Sequence, residues 1–211
     1  ANAATLAEEL SARCGLSLSL VSTKTRPTPT KTRYLGGMQQ VVRVDREMSK
    51  PFSAEVRAHL LGAVDEALAK GAQALVMSDY AKGTFADGFA AQVIASGRAA
   101  GVPVIVDPKA RDLSIYAGAS VITPNRKELQ EATGVPCETD DEIVSAGAAA
   151  IEVSGADILV TRSEQGISYI SADREPIHMP TEARRVFDVS GAGDTTIAAF
   201  SLCIASGIGL P

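Results

Sequence analysis

The 211-residue sequence has no tryptophan, two histidines, three cysteines and no long run of one charge. Cys14, Cys137 and Cys203 are odd in number and far apart, which suits neither a disulfide framework nor a zinc site of paired short spacings. They read as small buried hydrophobes. With His59 and His178 alone there is no HExxH and no two-histidine metal helix. Lys and Arg total 20 against 25 Asp and Glu, a formal charge of −5, which argues against electrostatic binding of nucleic acid. No apolar stretch approaches the roughly 20 residues of a membrane span. The start, Ala1-Asn2-Ala3-Ala4, has neither the basic opening nor the apolar core of a signal peptide. These absences leave a soluble, cytoplasmic protein as the expectation.

What is present is a packing composition, 45% hydrophobic and 21% charged, over a length that fits one domain with at most a small appendage. Short β-branched runs at Ala74–Met77, Val102–Val106, Ala119–Ile122 and Ile158–Val160 alternate with amphipathic helical stretches. That rhythm predicts βαβ units and an α/β fold with a mostly parallel sheet flanked by helices. Ser53, Asn125 and Thr139 stand where helices should start, Thr139 with Glu142 as a capping box. From about residue 18 to 47 the rhythm breaks. Leu18-Ser19-Leu20, Lys31–Leu35 and Gln39–Asp45 read as short strands around Arg26-Pro27-Thr28-Pro29 and Gly36-Gly37, a small antiparallel β insert. A period of two places Gln39, Arg43 and Asp45 on one face of the last strand and Val42 and Val44 on the other. The insert is either a decorative edge hairpin or a lid whose Lys31, Arg33 and Arg43 face a ligand. A second antiparallel patch is expected from Ile167 to Met179, turning at Ala172-Asp173-Arg174.

The strongest local signal is Asp188-Val189-Ser190-Gly191-Ala192-Gly193-Asp194-Thr195-Thr196, opening into an apolar helix that runs to about Ser206. Small residues let a ligand approach the backbone, and free amides at the helix start, with the macrodipole, form an anion site suited to phosphate. A carboxylate there would repel the anion that the turn attracts. Asp194 is therefore read either as a base acting on a hydroxyl nucleophile or as an ordinary first-turn acid that favours the dipole. No GxxxxGK[ST] occurs, and the turn lacks the last glycine of the dinucleotide fingerprint.

This nine-residue stretch and its helix resemble the C-terminal signature of the ribokinase (PfkB) family of carbohydrate kinases. The resemblance implies a ribokinase-like fold, with Asp194 as catalytic base and the amides of Gly191, Ala192 and Gly193 as anion hole. Thr123-Pro124-Asn125-Arg126-Lys127-Glu128 looks like the family's NxxE motif, which implies that Asn125 and Glu128 organise Mg2+ and phosphate through water. Taken alone, the two residues are a helix cap and its capping partner. Thr161-Arg162-Ser163-Glu164-Gln165-Gly166 resembles a nucleotide-contacting turn, implying ATP contacts from Thr161, Arg162, Glu164 and Gly166. Val106-Asp107-Pro108-Lys109 resembles the family's strand-end aspartate region; Lys109 either neutralises transferring phosphate or is a solvated surface lysine.

Within the family, Pro29–Arg33, Gln39–Asp45, Ser78–Gly83, Val106–Lys109 and Asn125–Glu128 are similar to members that phosphorylate D-glycero-D-manno-heptose 7-phosphate at C1, on the route to ADP-heptose and lipopolysaccharide. The implied partners are ATP, Mg2+ and a sugar phosphate, with Lys31, Arg33 and Arg43 clamping the distal phosphate, Asp79 on the substrate side, and a homodimer through the β lid. Another ribokinase-like sugar or nucleoside kinase is the rival within the class. A non-catalytic nucleotide-binding or assembly module is the rival outside it. The family's usual first strand with its Gly-Asp motif has no counterpart here, and the chain stops soon after the Asp194 helix, so 1–211 reads as a partial kinase domain of something longer.

Overall fold

Short apolar runs bounded by turn residues become strands here, and the stretches between them become capped helices. The structure, a computed structural model, describes residues 3–23, 26–37, 39–182 and 191–208. Helix α1 (Ala3–Cys14) leads into a hairpin, β1 (Thr30–Gly36) and β2 (Gln39–Arg46). Then follow α2 (Ala54–Ala69), β3 (Leu75–Ser78), α3 (Phe89–Ala99), β4 (Val104–Asp107), a 3₁₀ turn (Leu113–Tyr116), β5 (Val121–Ile122), α4 (Arg126–Thr133) and α5 (Asp140–Ser154). The chain closes with β6 (Asp157–Thr161), β7 (Ile167–Ile170), β8 (Ile177–Met179) and α6 (Ala192–Ala205).

The main sheet has the order β3-β4-β5-β6-β7-β8, parallel from β3 to β6 and antiparallel from there to β8. Successive strand side chains point to opposite faces. Val104, Val106, Ile122, Ile158 and Val160 accordingly join a core shared with Val93 and Ile94 of α3 and Ile143 of α5. Ile105, Val121 and Leu159 point the other way, into a second core closed by Ile197 and Phe200 of α6. The sheet is thus covered on both faces, and α6 is held on its own side with its first turn over the carboxyl ends of the strands.

The expected helix starts form. Ser53 accepts a hydrogen bond from the Val56 amide, and Asn125 with Glu128 and Thr139 with Glu142 both close capping boxes. The second antiparallel patch is β7–β8.

Three expectations are corrected. Leu18-Ser19-Leu20 is not a strand; three residues cannot hold one without a neighbour, and no described strand pairs with them. Gln39 does not share a face with Arg43 and Asp45. The register shifts between Tyr34 and Leu35, so that Leu35 pairs with Gln40 and Gly36 with Gln39, leaving Val41 as the extra residue of a bulge that turns Gln39 to the Tyr34 face. Of the cysteines only Cys137 is buried. Cys203 stands about 200° round the α6 wheel from the inward Ser201 and is exposed, as is Cys14 at the end of α1.

Candidate active site

The site grows from the first turn of α6. Asp188, Val189 and Ser190 lie outside the described residues. Gly191 is the N-cap at φ +76° and Ala192, Gly193 and Asp194 are the first helical residues. The first described helical bond runs from Thr195 N–H to Gly191 C=O (2.9 Å), so the preceding amides have no partner one turn back within the helix. Gly191 carries no side chain that could cap them.

These residues form one wall of a cavity of about 200 Å³. The other wall comes from strand ends: Asp107 at the end of β4 and Lys109 just beyond it, Thr123 and Asn125 after β5 with Glu128 in the first turn of α4, and Thr161 at the end of β6. The convergence follows from the parallel order. The Asp79 amide donates to Asp107 C=O (3.0 Å), the Thr123 amide to Val106 C=O (2.8 Å) and the Thr161 amide to Pro124 C=O (3.0 Å), which keeps neighbouring strand ends level. Asp194 is exposed and lines this cavity; it is not packed in hydrocarbon.

Three carboxylates and one ammonium share the cavity. Burial pushes Asp107 up to about 6, with the charges of Glu128 and Asp194 adding to the rise and Lys109 and the Ser78 hydroxyl opposing it. Lys109 is ion-paired with Glu128, which raises its pKa above the ordinary lysine value. The other Glu128 oxygen accepts from the Asn125 amide (3.0 Å), while Asn125 Oδ1 accepts from the Glu128 amide (2.9 Å). The field of Asp107, Glu128 and Asp194 favours a cation beside the phosphate-seeking amides, and a hard divalent ion fits that donor chemistry. Among the described residues no group of three His, Cys, Asp or Glu side chains is placed to hold a metal directly. Magnesium, which keeps its waters, fits through water.

The raised pKa of Asp107 makes stability depend on pH. Its folded pKa lies above the unfolded value of 3.8, so the neutral acid stabilises the fold below about pH 4, and that contribution is lost as pH rises through about 6. Asp107→Asn is therefore expected to melt higher than the parent at pH 8, with the gap closing by pH 4. Thermal unfolding at the two pH values checks this, and an equal gap at both would contradict it.

Of the residues singled out in the sequence, the structure brings together Gly191, Ala192, Gly193, Asp194, Asn125, Glu128, Lys109 and Thr161. The others lie outside this lining. Arg162 is buried, ion-paired with Asp140 (2.6 Å) and donating to Ser168 Oγ (2.9 Å) and Gln165 Oε1 (3.1 Å), so it ties the turn after β6 to α5 and β7. Glu164 is exposed and pairs with Arg126 (3.5 Å). Gly166 has its Cα against the end of β8. Asp79 is buried, accepting from the Ala81 amide (2.8 Å) and from the Tyr116 hydroxyl. Lys31, Arg33 and Arg43 share one face of the exposed hairpin, where Asp45 pairs with Lys31 (3.6 Å) and Arg43 (2.9 Å). Asp107, Thr123 and Thr196 also line the cavity; none was given a role of its own, although Asp107 stands in the strand-end region that the resemblance marks. The signal for the first two was their place at strand carboxyl ends, where open α/β sheets gather ligands.

The family model described as "pfkB family carbohydrate kinase" matches residues 2–211. A protein named "Bifunctional protein HldE" from Azorhizobium caulinodans is 48% identical over 206 residues, covering 97% of this chain and 43% of that protein. One of the same name from Mesorhizobium japonicum is 52% identical over 183 residues, covering 86% and 36%. The chain thus spans about two fifths of the length of these curated relatives. Arabidopsis thaliana ribokinase complexed with ribose and ATP superposes with a TM-score of 0.73 at 25% identity, covering 93% of this chain and 62% of that one. The tetrameric inhibited form of Escherichia coli phosphofructokinase-2 gives a TM-score of 0.73 at 18% identity, covering 95% and 66%, a likeness of fold.

Proposed function

The chain belongs to the pfkB family of carbohydrate kinases, and from that premise we propose that it carries the phosphoryl-transfer site of an enzyme that phosphorylates D-glycero-D-manno-heptose 7-phosphate at C1, toward ADP-heptose and lipopolysaccharide. The observation that carries the kinase chemistry is the shared cavity of Asp194, the first-turn amides of α6 and Lys109. The heptose reading is supported by the sequence of the hairpin and by the similarity to proteins named HldE.

In this reading Asp194 takes the proton as the sugar oxygen forms its bond to the γ-phosphorus and the bond to the β-phosphate oxygen breaks, releasing ADP. The amides of Gly191, Ala192 and Gly193 hold charge on the transferred group, and Lys109 adds a cation from the facing wall. Asn125 and Glu128, in the field of Asp107, would hold Mg2+ through water, and the ion would neutralise charge on the phosphates. Thr161 and the following turn, which carries Glu164 and Gly166 and which Arg162 holds in place through Asp140, Ser168 and Gln165, form the nucleotide side. The hairpin supplies Lys31, Arg33 and Arg43 for the distal phosphate, and its exposed Tyr34, Val42 and Val44 with two open strand edges suit pairing with a second copy. With ATP as donor, the reaction is read as a cytoplasmic one.

The test is steady-state kinetics of the full-length protein with ATP, Mg2+ and a panel of heptose 7-phosphate, ribose, fructose 6-phosphate and nucleosides. Highest kcat/KM for the heptose phosphate is expected, and preference for another acceptor would overturn the substrate assignment. Lys31→Ala and Arg33→Ala are each expected to raise the KM for the heptose phosphate by about 10- to 100-fold with kcat nearly unchanged, since a charge-assisted hydrogen bond contributes about 1.5–3 kcal/mol. An unchanged KM would remove the clamp.

A further inference from the structure

Tyr116 is fully buried in the core shared by α3 and α5, yet it carries a hydroxyl where packing alone asks only for a ring. That hydroxyl donates to Asp79 Oδ2 and accepts from the Ala110 amide (3.4 Å). Asp79, buried at the end of β3, spends its other oxygen on the amide of Ala81, which sits at φ +52°. On one side of this pair lies the base of the hairpin. The Lys82 ammonium pairs with Glu47 just beyond β2 (2.5 Å), the Lys82 carbonyl accepts from Arg26, and Gly83 presses against the Lys50 carbonyl so closely that no Cβ fits. On the other side, Ala110 follows Lys109, whose ammonium faces the phosphate cavity.

We propose that Tyr116 and Asp79 are a buried positioning pair that couples the base of the β1–β2 hairpin to the loop carrying Lys109, so that the segment leading to the lid and the phosphate cavity share one hydrogen-bonded frame. Neither side chain lines the cavity, and the pair acts through Lys109. Burial and the adjacent Asp79 carboxylate push the ionisation of Tyr116 far above the ordinary tyrosine range, so the hydroxyl stays a donor at every working pH. The catalytic part of this proposal rests on the kinase reading; the coupling itself does not.

The experiment uses the full-length protein and two readouts. Hydrogen exchange of Tyr116→Phe is expected to accelerate at least tenfold over residues 79–83 and 108–111 while α5 keeps its protection. Unchanged exchange in both segments, or acceleration spread evenly through the domain, would overturn the coupling whatever the protein catalyses. In turnover, Tyr116→Phe is expected to lower kcat about tenfold with both KM values within twofold. In a Lys109→Met background the same change should cost less than twofold, because its route to the cavity is already gone. Losses that multiply in the double variant, or a kcat that stays at the parent value while Tm falls, would reduce Tyr116 to packing. Asp79→Asn, which keeps the side-chain volume, repeats both readouts if the first variant folds poorly. A parent protein that transfers phosphate to no sugar would sink the kinase reading, and the exchange result would still decide the coupling.

Discussion

Asp194→Asn in the full-length enzyme is expected to lower kcat by about 10²–10⁴-fold, the range that a positioned general base contributes, while both KM values stay within a few-fold. The amide side chain keeps the shape and polarity of the residue and loses only its capacity to accept a proton. The α6 amides, Lys109 and the strand-end groups stay in place, so ground-state binding should survive and the loss should fall on the chemical step. Stability distinguishes this from the competing role. As an exposed first-turn acid, Asp194 contributes about 0.3–1 kcal/mol through the helix dipole. Its neutralisation should therefore shift Tm by only about 1–4 °C. Turnover within tenfold of the parent, with that small shift, would return Asp194 to the role of a helix-terminal carboxylate and leave the cavity without a base.

The α/β architecture was legible because its signals are local. Val104-Ile105-Val106 and Ile158-Leu159-Val160 are apolar on both sides, which only a strand covered on both faces tolerates, and both faces are covered. Ser53, Asn125 and Thr139 mark helix starts through a side-chain-to-amide bond three residues long, which needs no tertiary information. The turn at Gly191 could be read for the same reason. The hairpin was legible as a hairpin but not in detail, because the bulge at Val41 depends on how β2 pairs with β1 and reverses the face of Gln39. The part of the site carried by strand ends was least visible. Asp107 meets Glu128 and Asp194, residues 21 and 87 positions away, only through the order of the sheet, and its raised pKa comes first from the burial that this order imposes and then from the two neighbouring carboxylates. Arg162 shows the opposite difficulty. A charged residue in a loop suggests a ligand, whereas Asp140, Ser168 and Gln165 converge on it from positions that a linear pattern does not place together.

The turn after β6 separates structural from ligand-binding demand at Gly166, and Gly166→Ala is expected to cost about 3 kcal/mol or more in stability, lowering Tm by roughly 6–12 °C. Its backbone stands at φ +91° and ψ −133°, a region that only glycine occupies without strain. A Cβ there would lie 2.0 Å from the Met179 carbonyl oxygen and 2.8 Å from the Pro180 carbonyl carbon, both backbone atoms that cannot rotate away. The two penalties add, since relieving the contact means moving the end of β8, and β8 is held to β7 by the ladder that pairs Ile167 with Met179. The same loop closes on itself through the Arg162 amide to Gly166 C=O (2.8 Å) and the Gly166 amide to Ser163 C=O (3.1 Å), so the turn has no slack to absorb the change. If Gly166 mattered only as a point of close nucleotide approach, the alanine variant would keep the parent Tm and show a raised KM for ATP alone. Thermal unfolding of the two proteins without nucleotide decides between these outcomes, and a Tm within 2 °C of the parent would show that β8 yields where its backbone contacts say it cannot.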